Sequence, residues 1–363
     1  MTDNSMARRR ITSTFLLEEP DRVPFSPFVT DSWMETRPGV AEEMLRWTDA
    51  LVSVGVGGDV FLGGRAPQFV RVNRVGDEVV TLVDTPKGRL RSVTRITPKM
   101  SMVKEYLLKT FDDVDRFLSV PYEPPRISPR AYIEWNGRVG DHGLVLAGTP
   151  NAVMIAAENG FGPAVFNELC LRDLSRLRDF VEIGAERVER YVEAMLKGGI
   201  EAVRIVGAEY ACPTFLHPRF FRELVHPFDK KLIGEIKSWP AMAYMHCHGR
   251  IRGIIEMIRD MGPNALDPIE KAPGGDVDLA YAKHMLGNDV CLVGNLDDLN
   301  VYSMQPWDAI EAQALECLEM AASGGGYALG GTASGLFTET MFENFIRTGK
   351  FVRKCGRYPP REY

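Results

Sequence analysis

Tyr244-Met-His-Cys-His-Gly249 ends a predicted β-strand that begins at Ala243, and the next predicted strand runs into Ala265-Leu-Asp-Pro-Ile-Glu270. Side chains alternate along a strand, so His246 and His248 share one side while Cys247 faces the other, toward a helix layer and away from any nucleophilic role. Glu270, 22 residues beyond His248, brings a carboxylate to the neighbouring strand end. Two histidines and one carboxylate meeting at a point make a metal site, so the placement of these two strands governs both fold and chemistry.

Outward from this pair, short β-branched or apolar runs recur, each followed by a helical pattern. They are Val23 to Phe28, Asp59 to Leu62, Leu144 to Ala147, Ala202 to Val206, Ala243 to His246, Ala265 to Asp267, Val290 to Val293 and Tyr327 to Leu329. Eight strands alternating with helices predict an α/β fold, a closed (β/α)8 TIM barrel rather than an open doubly wound sheet. Residues 1–363 read as one barrel domain. Residues 68–97 interrupt the alternation after the second strand and read as an antiparallel hairpin insertion, with Val75-Gly-Asp-Glu78 at a turn. A long amphipathic helix spans Leu171 to Leu196 and is closed by Gly198-Gly199, while the helical pattern from Pro218 to Trp239 is kinked or split at Pro227.

With 363 residues, 45% of them hydrophobic and 25% charged, the chain has the composition of a globular protein with a large core. Net charge is -6 and the 43 basic residues are scattered, which argues against a nucleic-acid partner. Arg8-Arg9-Arg10 precedes polar and acidic sequence, so it reads as a solvated N-terminal segment and not a signal peptide. No run approaches the roughly 18 apolar residues of a membrane span. Six dispersed cysteines without a CxxC fit reduced thiols in a cytoplasm. The glycine runs at 55–58, 274–275 and 324–326 match no phosphate-binding fingerprint, which removes nucleotides from the expected ligands.

In such a barrel the strand ends converge at the C-terminal rim. Polar residues stand at five consecutive ends: Gly207-Ala-Glu209-Tyr210, His246-Cys-His248-Gly249, Asp267-Pro-Ile-Glu270, Gly294-Asn295-Leu-Asp297 and Gly330-Gly331-Thr332. His246, His248 and Glu270 are the candidate metal ligands; zinc suits the set and non-haem iron shares it. The alternative is a metal-free pocket lined by hydrogen-bonded histidines, with Glu270 capping a helix or acting as acid and base. Glu209 and Asn295 are the candidate catalytic residues, although Glu209 also fits a salt-bridged rim position. Tyr210, Cys212, Asp267 and Thr332 are candidate substrate contacts, Cys212 as part of the pocket wall.

These residues resemble those of the uroporphyrinogen decarboxylase-like barrels, a superfamily that includes cobalamin-dependent methyltransferases and is similar to the C-terminal barrel of cobalamin-independent methionine synthase. The resemblance runs along most of the chain. It is carried by Glu19-Pro-Asp-Arg-Val-Pro24, His217-Pro-Arg-Phe-Phe-Arg-Glu-Leu-Val-His-Pro227, the His-x-ligand-Gly pattern at His246 to Gly249, Gly294-Asn295-Leu-Asp297, and Gly326-Tyr-Ala-Leu-Gly-Gly331 followed by Glu343-Asn344. In the methyltransferase branch the corresponding strand end reads His-x-Cys-Gly and binds zinc that activates a thiol; here His248 replaces that cysteine. In the methionine synthase branch a glutamate at about the spacing of Glu270 also ligates zinc. The family's last cysteine ligand, expected after strand eight, is absent from the region Thr332 to Ser334. A nitrogen and oxygen site leaves a metal more Lewis acidic than a thiolate-rich one, so methyl-ether demethylation, or another step on a carboxylated or phenolic substrate, stands beside thiol methylation. True uroporphyrinogen decarboxylases resemble this chain in fold but grip substrate with N-terminal arginines, where this chain has Phe25-Ser-Pro-Phe-Val-Thr-Asp31. Tetrapyrrole decarboxylation is therefore not expected.

The resemblance implies a metal-dependent methyltransferase or demethylase that handles a small-molecule methyl donor or acceptor, with a corrinoid supplied by a partner protein and a homodimer among the allowed assemblies. Two other readings stand beside it: a metal-free decarboxylase of a carboxylated small molecule, and a non-catalytic corrinoid-binding accessory protein.

Overall fold

A computed structural model describes residues 6–97 and 101–358. Eight parallel strands form one sheet in the order β1 (Phe28–Thr30), β2 (Ala50–Val54), β7 (Gly143–Pro150), β8 (Ala202–Val206), β9 (Met242–His246), β10 (Ala265–Asp267), β11 (Cys291–Asn295) and β12 (Tyr327–Gly330). Each is joined to the next by helical connections, and a parallel bridge from Phe25 to Leu329 brings the first edge to the last. This is the α/β TIM barrel expected from the strand count.

Inward-facing residues of the strands form their own apolar cluster, including Leu51, Leu144, Leu146, Tyr244, Ala265, Val293 and Ala328. Ile11 and Phe15 of the helix Ala7–Phe15 join it, so that helix plugs the barrel's N-terminal end. The solvated N-terminal segment expected around Arg8-Arg9-Arg10 is thus overturned: Arg10 is 1% exposed and pairs with Asp49 and Asp21, while Arg8 reaches Glu201 and Asn136. Burying the neighbouring Ile11 takes Arg10 into the fold, where two carboxylates neutralise it.

The second strand is Ala50–Val54 and not Asp59 to Leu62, which forms a turn. Gly57, Gly58 and Gly63 all take positive φ around that segment, and Asp59 Oδ1 accepts from the Leu62 N–H at 2.8 Å, so the apolar run is folded back on itself. The first strand likewise begins at Phe28, the last residue of the run Val23 to Phe28 expected to form it. The insertion after β2 is a four-stranded antiparallel sheet, β3 (Val70–Val75), β4 (Glu78–Thr85), β5 (Gly88–Ile96) and β6 (Ser101–Glu105), one strand pair larger than a hairpin. The helix Leu174–Lys197 is capped by Asp173 and ends at Gly198, and the pattern around Pro227 is split into Pro218–Leu224 and His226–Ser238. Among the described residues no helix is long and apolar enough to cross a membrane.

Candidate functional site

β9 pairs in parallel with β10 so that His246 lies opposite Asp267. The two side chains meet: His246 donates Nδ1–H to Asp267 Oδ1 at 2.9 Å. One turn of chain later the same relation repeats, His248 Nδ1 standing 3.1 Å from Glu270 Oε1. The other Glu270 oxygen accepts the Gly249 N–H at 2.6 Å. The imidazole rings are 4.5 Å apart, nearly perpendicular at 89°. The parallel register supplied His246 with Asp267, and the segments that continue past the two strand ends bring Glu270 to His248.

The two pairs differ in charge. Burial pushes His246 down to about 4 against the pull of Asp267, so its imidazole is neutral. Burial also disfavours the cation of His248, but the Glu270 hydrogen bond and charge outweigh it and raise that group. Burial would lift both carboxylates, yet their histidine partners hold Asp267 and Glu270 below the ordinary carboxylate range. Glu209, on the short turn Ala208–Ala211 after β8, is raised by burial against the Gly207 N–H at 3.2 Å and the His248 charge. Of the three carboxyl groups around the histidines, it alone is shifted upward.

Both carboxylates grip a histidine at Nδ1, which fixes the tautomer and leaves Nε2 as the remaining ring nitrogen, the arrangement that ligating histidines use. Two nitrogen donors fit a divalent ion. Glu270 has both oxygens engaged, so it becomes a third donor only by releasing His248; among the described residues no three His, Cys, Asp or Glu side chains form a group that could hold an ion as they stand.

The other candidates fall into place around this centre. Asn295 and Thr332 line, with Glu270, a cavity of about 550 Å³ at the ends of β10 to β12. Asn295 Oδ1 accepts from the Cys317 thiol at 3.3 Å, and Thr332 is tied to Asp298, whose carboxylate also takes the Thr332 and Ser334 N–H groups. Tyr210 turns away and donates to Glu158 Oε2 at 2.7 Å. Cys212 lies 3.3 Å from Thr214 Oγ1 and 3.5 Å from the His248 carbonyl oxygen. A hydrogen bond from Cys247 brings the Cys212 thiol down to about 7, and the same contact together with burial pushes Cys247 up. Cys247 is buried on the face opposite the imidazoles, as alternation requires.

Three residues near the site were not singled out by sequence reasoning: Arg204, Asp229 and Asp298. A second cavity, about 460 Å³, opens at the ends of β2, β7 and β8 and is lined by Arg204. The signal for it was a lone charge inside the apolar strand Ala-Val-Arg-Ile-Val. In strand order β9 with its histidines stands between the two cavities.

Residues 143–355 match the family described as Uroporphyrinogen decarboxylase (URO-D). Over 207 residues the chain is 24% identical to the methylcobamide:CoM methyltransferase MtaA of Methanosarcina barkeri; the alignment spans 57% of this chain and 57% of that protein's length. A methyltransferase from Methanosarcina mazei aligns over 95% of this chain and 98% of its own, with a TM-score of 0.63 and 17% sequence identity, a likeness of fold.

Proposed function

Because this chain belongs to the uroporphyrinogen decarboxylase (URO-D) family, we propose that it is a methyltransferase, moving a methyl group between two substrates at the C-terminal mouth of the barrel. The observation that carries the reading is the pair of imidazoles, each held by a carboxylate at Nδ1, at the end of the strand between two cavities. Group transfer needs two substrates held on either side of one activating centre, and this arrangement suits it. The similarity to the Methanosarcina barkeri protein supports the same class.

In this reading His246 and His248 hold a divalent metal through Nε2, with Glu270 as the exchangeable third donor. Such an ion supplies Lewis acidity that polarises a methyl donor or keeps a methyl acceptor deprotonated. Zinc suits the donor set. Asp267 keeps His246 in one tautomer, and Glu270 would serve either His248 or the ion. Glu209, raised by burial, gives or takes the proton that methyl transfer leaves over. Asn295 and Thr332 orient whatever enters the larger cavity. The name of the Methanosarcina barkeri protein points to methylcobamide as that protein's substrate. We carry to this chain a corrinoid, brought by a partner protein, as the methyl group's other station.

Metal analysis of the purified protein, followed by methyl transfer to or from cobalamin read by its absorbance, is the direct test. Wild type is expected to retain stoichiometric metal. His246→Ala and His248→Ala are expected to lose it together with at least about tenfold of the transfer rate. Unchanged metal and unchanged transfer in both variants would overturn the reading. A metal-free lyase is the second reading, favoured by one observation: both Glu270 oxygens are already engaged, one by His248 and one by the Gly249 N–H. Full turnover after exhaustive chelation would select it.

A further inference from the structure

Arg204 sits in the middle of β8 with its side chain turned into the barrel and is only 8% exposed. Among the described residues it makes no side-chain hydrogen bond and no ion pair, and its Nε is buried without a partner. A guanidinium carries a full charge and five donors under all ordinary conditions, so this placement is costly unless something answers it. The Phe28 ring, 4.3 Å from the guanidinium carbon, covers one face and leaves the donor edges unused. Its charge bears on Asp267, Glu209 and His246, but neither carboxylate comes within ion-pair distance.

The space beside Arg204 is real. Its register partner on β7 is Gly148, and a Cβ added there would meet nothing within 4 Å. The cavity of about 460 Å³ continues from this gap past the apolar side chains of Met154, Val206 and Phe61. Asp59 also lines it, but is exposed and spends one oxygen on the Leu62 N–H. On the other side Arg204 pairs in register with Tyr244, whose buried hydroxyl faces Asp267. His246 is two residues farther along the same strand, roughly 7 Å toward the mouth.

We propose that Arg204 anchors the carboxylate of a small methylated substrate, whose apolar body fills the cavity beside Gly148 and reaches toward His246. This names the substrate class for the methyl-transfer reading above and rests on it. The fork of a guanidinium matches a planar carboxylate with two parallel hydrogen bonds. A single cation balances a monoanion, whereas a phosphate dianion would remain half unpaired. Met154, Val206 and Phe61 suit a hydrocarbon or aromatic body, with Thr149, Asn159 and Tyr191 adding polar atoms to the same lining, and the spacing from Arg204 to the histidines suits a molecule about one aromatic ring long.

The test is binding, not turnover, and uses the full chain stripped of metal by chelation so that a carboxylate cannot be held by an ion. Benzoate, benzamide, benzenesulfonate and inorganic phosphate are titrated while the ¹³C-methyl signal of Met154, identified through Met154→Leu, is followed by NMR. Benzoate is expected to shift Met154, benzamide and phosphate are not, and benzenesulfonate is expected to bind more weakly than benzoate. Arg204→Met is expected to weaken benzoate by at least about tenfold, with Arg204→Lys intermediate. Equal response to benzoate and benzamide, no Met154 shift, or tighter binding of benzenesulfonate or phosphate overturns the assignment; the wild-type titrations decide this even where Arg204→Met does not fold. Absence of metal or of methyl transfer in the catalytic assays would sink the methyl-transfer reading while leaving these titrations intact, so the two failures are told apart.

Discussion

Asp229 is a carboxyl group 2% exposed, held by the Asn151 side-chain amide at 3.0 Å. Burial raises it to about 7, the Asn151 hydrogen bond opposing and the nearby Glu209 charge adding to the rise. The folded protein thus binds this proton more tightly than the unfolded chain. The stability it contributes is complete below about pH 4 and is lost as pH climbs through 7. Asp229→Asn, neutral at every pH, is expected to gain on the order of 2 kcal/mol over wild type between pH 5 and pH 8, read by urea denaturation at both. A difference independent of pH would place the charge elsewhere. Asp229 was invisible in the sequence because it sits on the amphipathic helix His226–Ser238, where an aspartate reads as a solvated position. His246, His248 and Glu270 were legible because strand alternation and adjacency act locally. Asp267 was legible as a rim residue, but not as the partner of His246, since that depends on register between two strands.

At the scale of elements, the turn that ends β9 decides where His248 points. Gly249 takes φ +90, and a Cβ added there would run into the Thr214 hydroxyl, which itself accepts the Arg250 N–H at 2.8 Å. Gly249→Ala is expected to cost about 2 kcal/mol or more, part backbone strain and part collision. In a double-mutant cycle with Thr214→Ala the collision term is expected to be recovered while the strain term remains, giving a favourable coupling measurable by denaturation. Strictly additive costs would show that no collision exists. The split at Pro227 and the stop at Gly198 followed from side-chain chemistry confined to a few neighbouring residues, and both stand in the structure. The second strand did not follow, because Asp59-Val-Phe-Leu62 and Ala50-Leu-Val-Ser-Val54 are equally apolar locally and only the glycines around the former distinguish them.

For the molecule as a whole, Asp49 is the node that joins the N-terminal plug to the barrel. It is fully buried and pairs with Arg10 from the plugging helix, with Arg22 of the Glu19-to-Pro24 motif, and with the Phe25 N–H at 3.0 Å. Removing it leaves two buried guanidinium groups short of charge. Asp49→Ala is accordingly expected to destabilise the protein by about 3–5 kcal/mol in urea denaturation, far beyond a surface ion pair. A cost under about 1 kcal/mol would mean that the arginines find water or other partners. Within this chain the Glu19-to-Pro24 motif acts through Arg22 at the Asp49 node, where it fastens the barrel's N-terminal end.

The alternation of strands with helices and the two histidines facing one way were set by the sequence alone, because hydrophobic periodicity and side-chain alternation are properties of neighbouring residues. Which carboxylate grips which imidazole, the burial of Arg10 and Arg204, and the second cavity were decided only when the sheet closed. These depend on register across strands and on what is excluded from water, and both arise from segments far apart in the chain coming into contact.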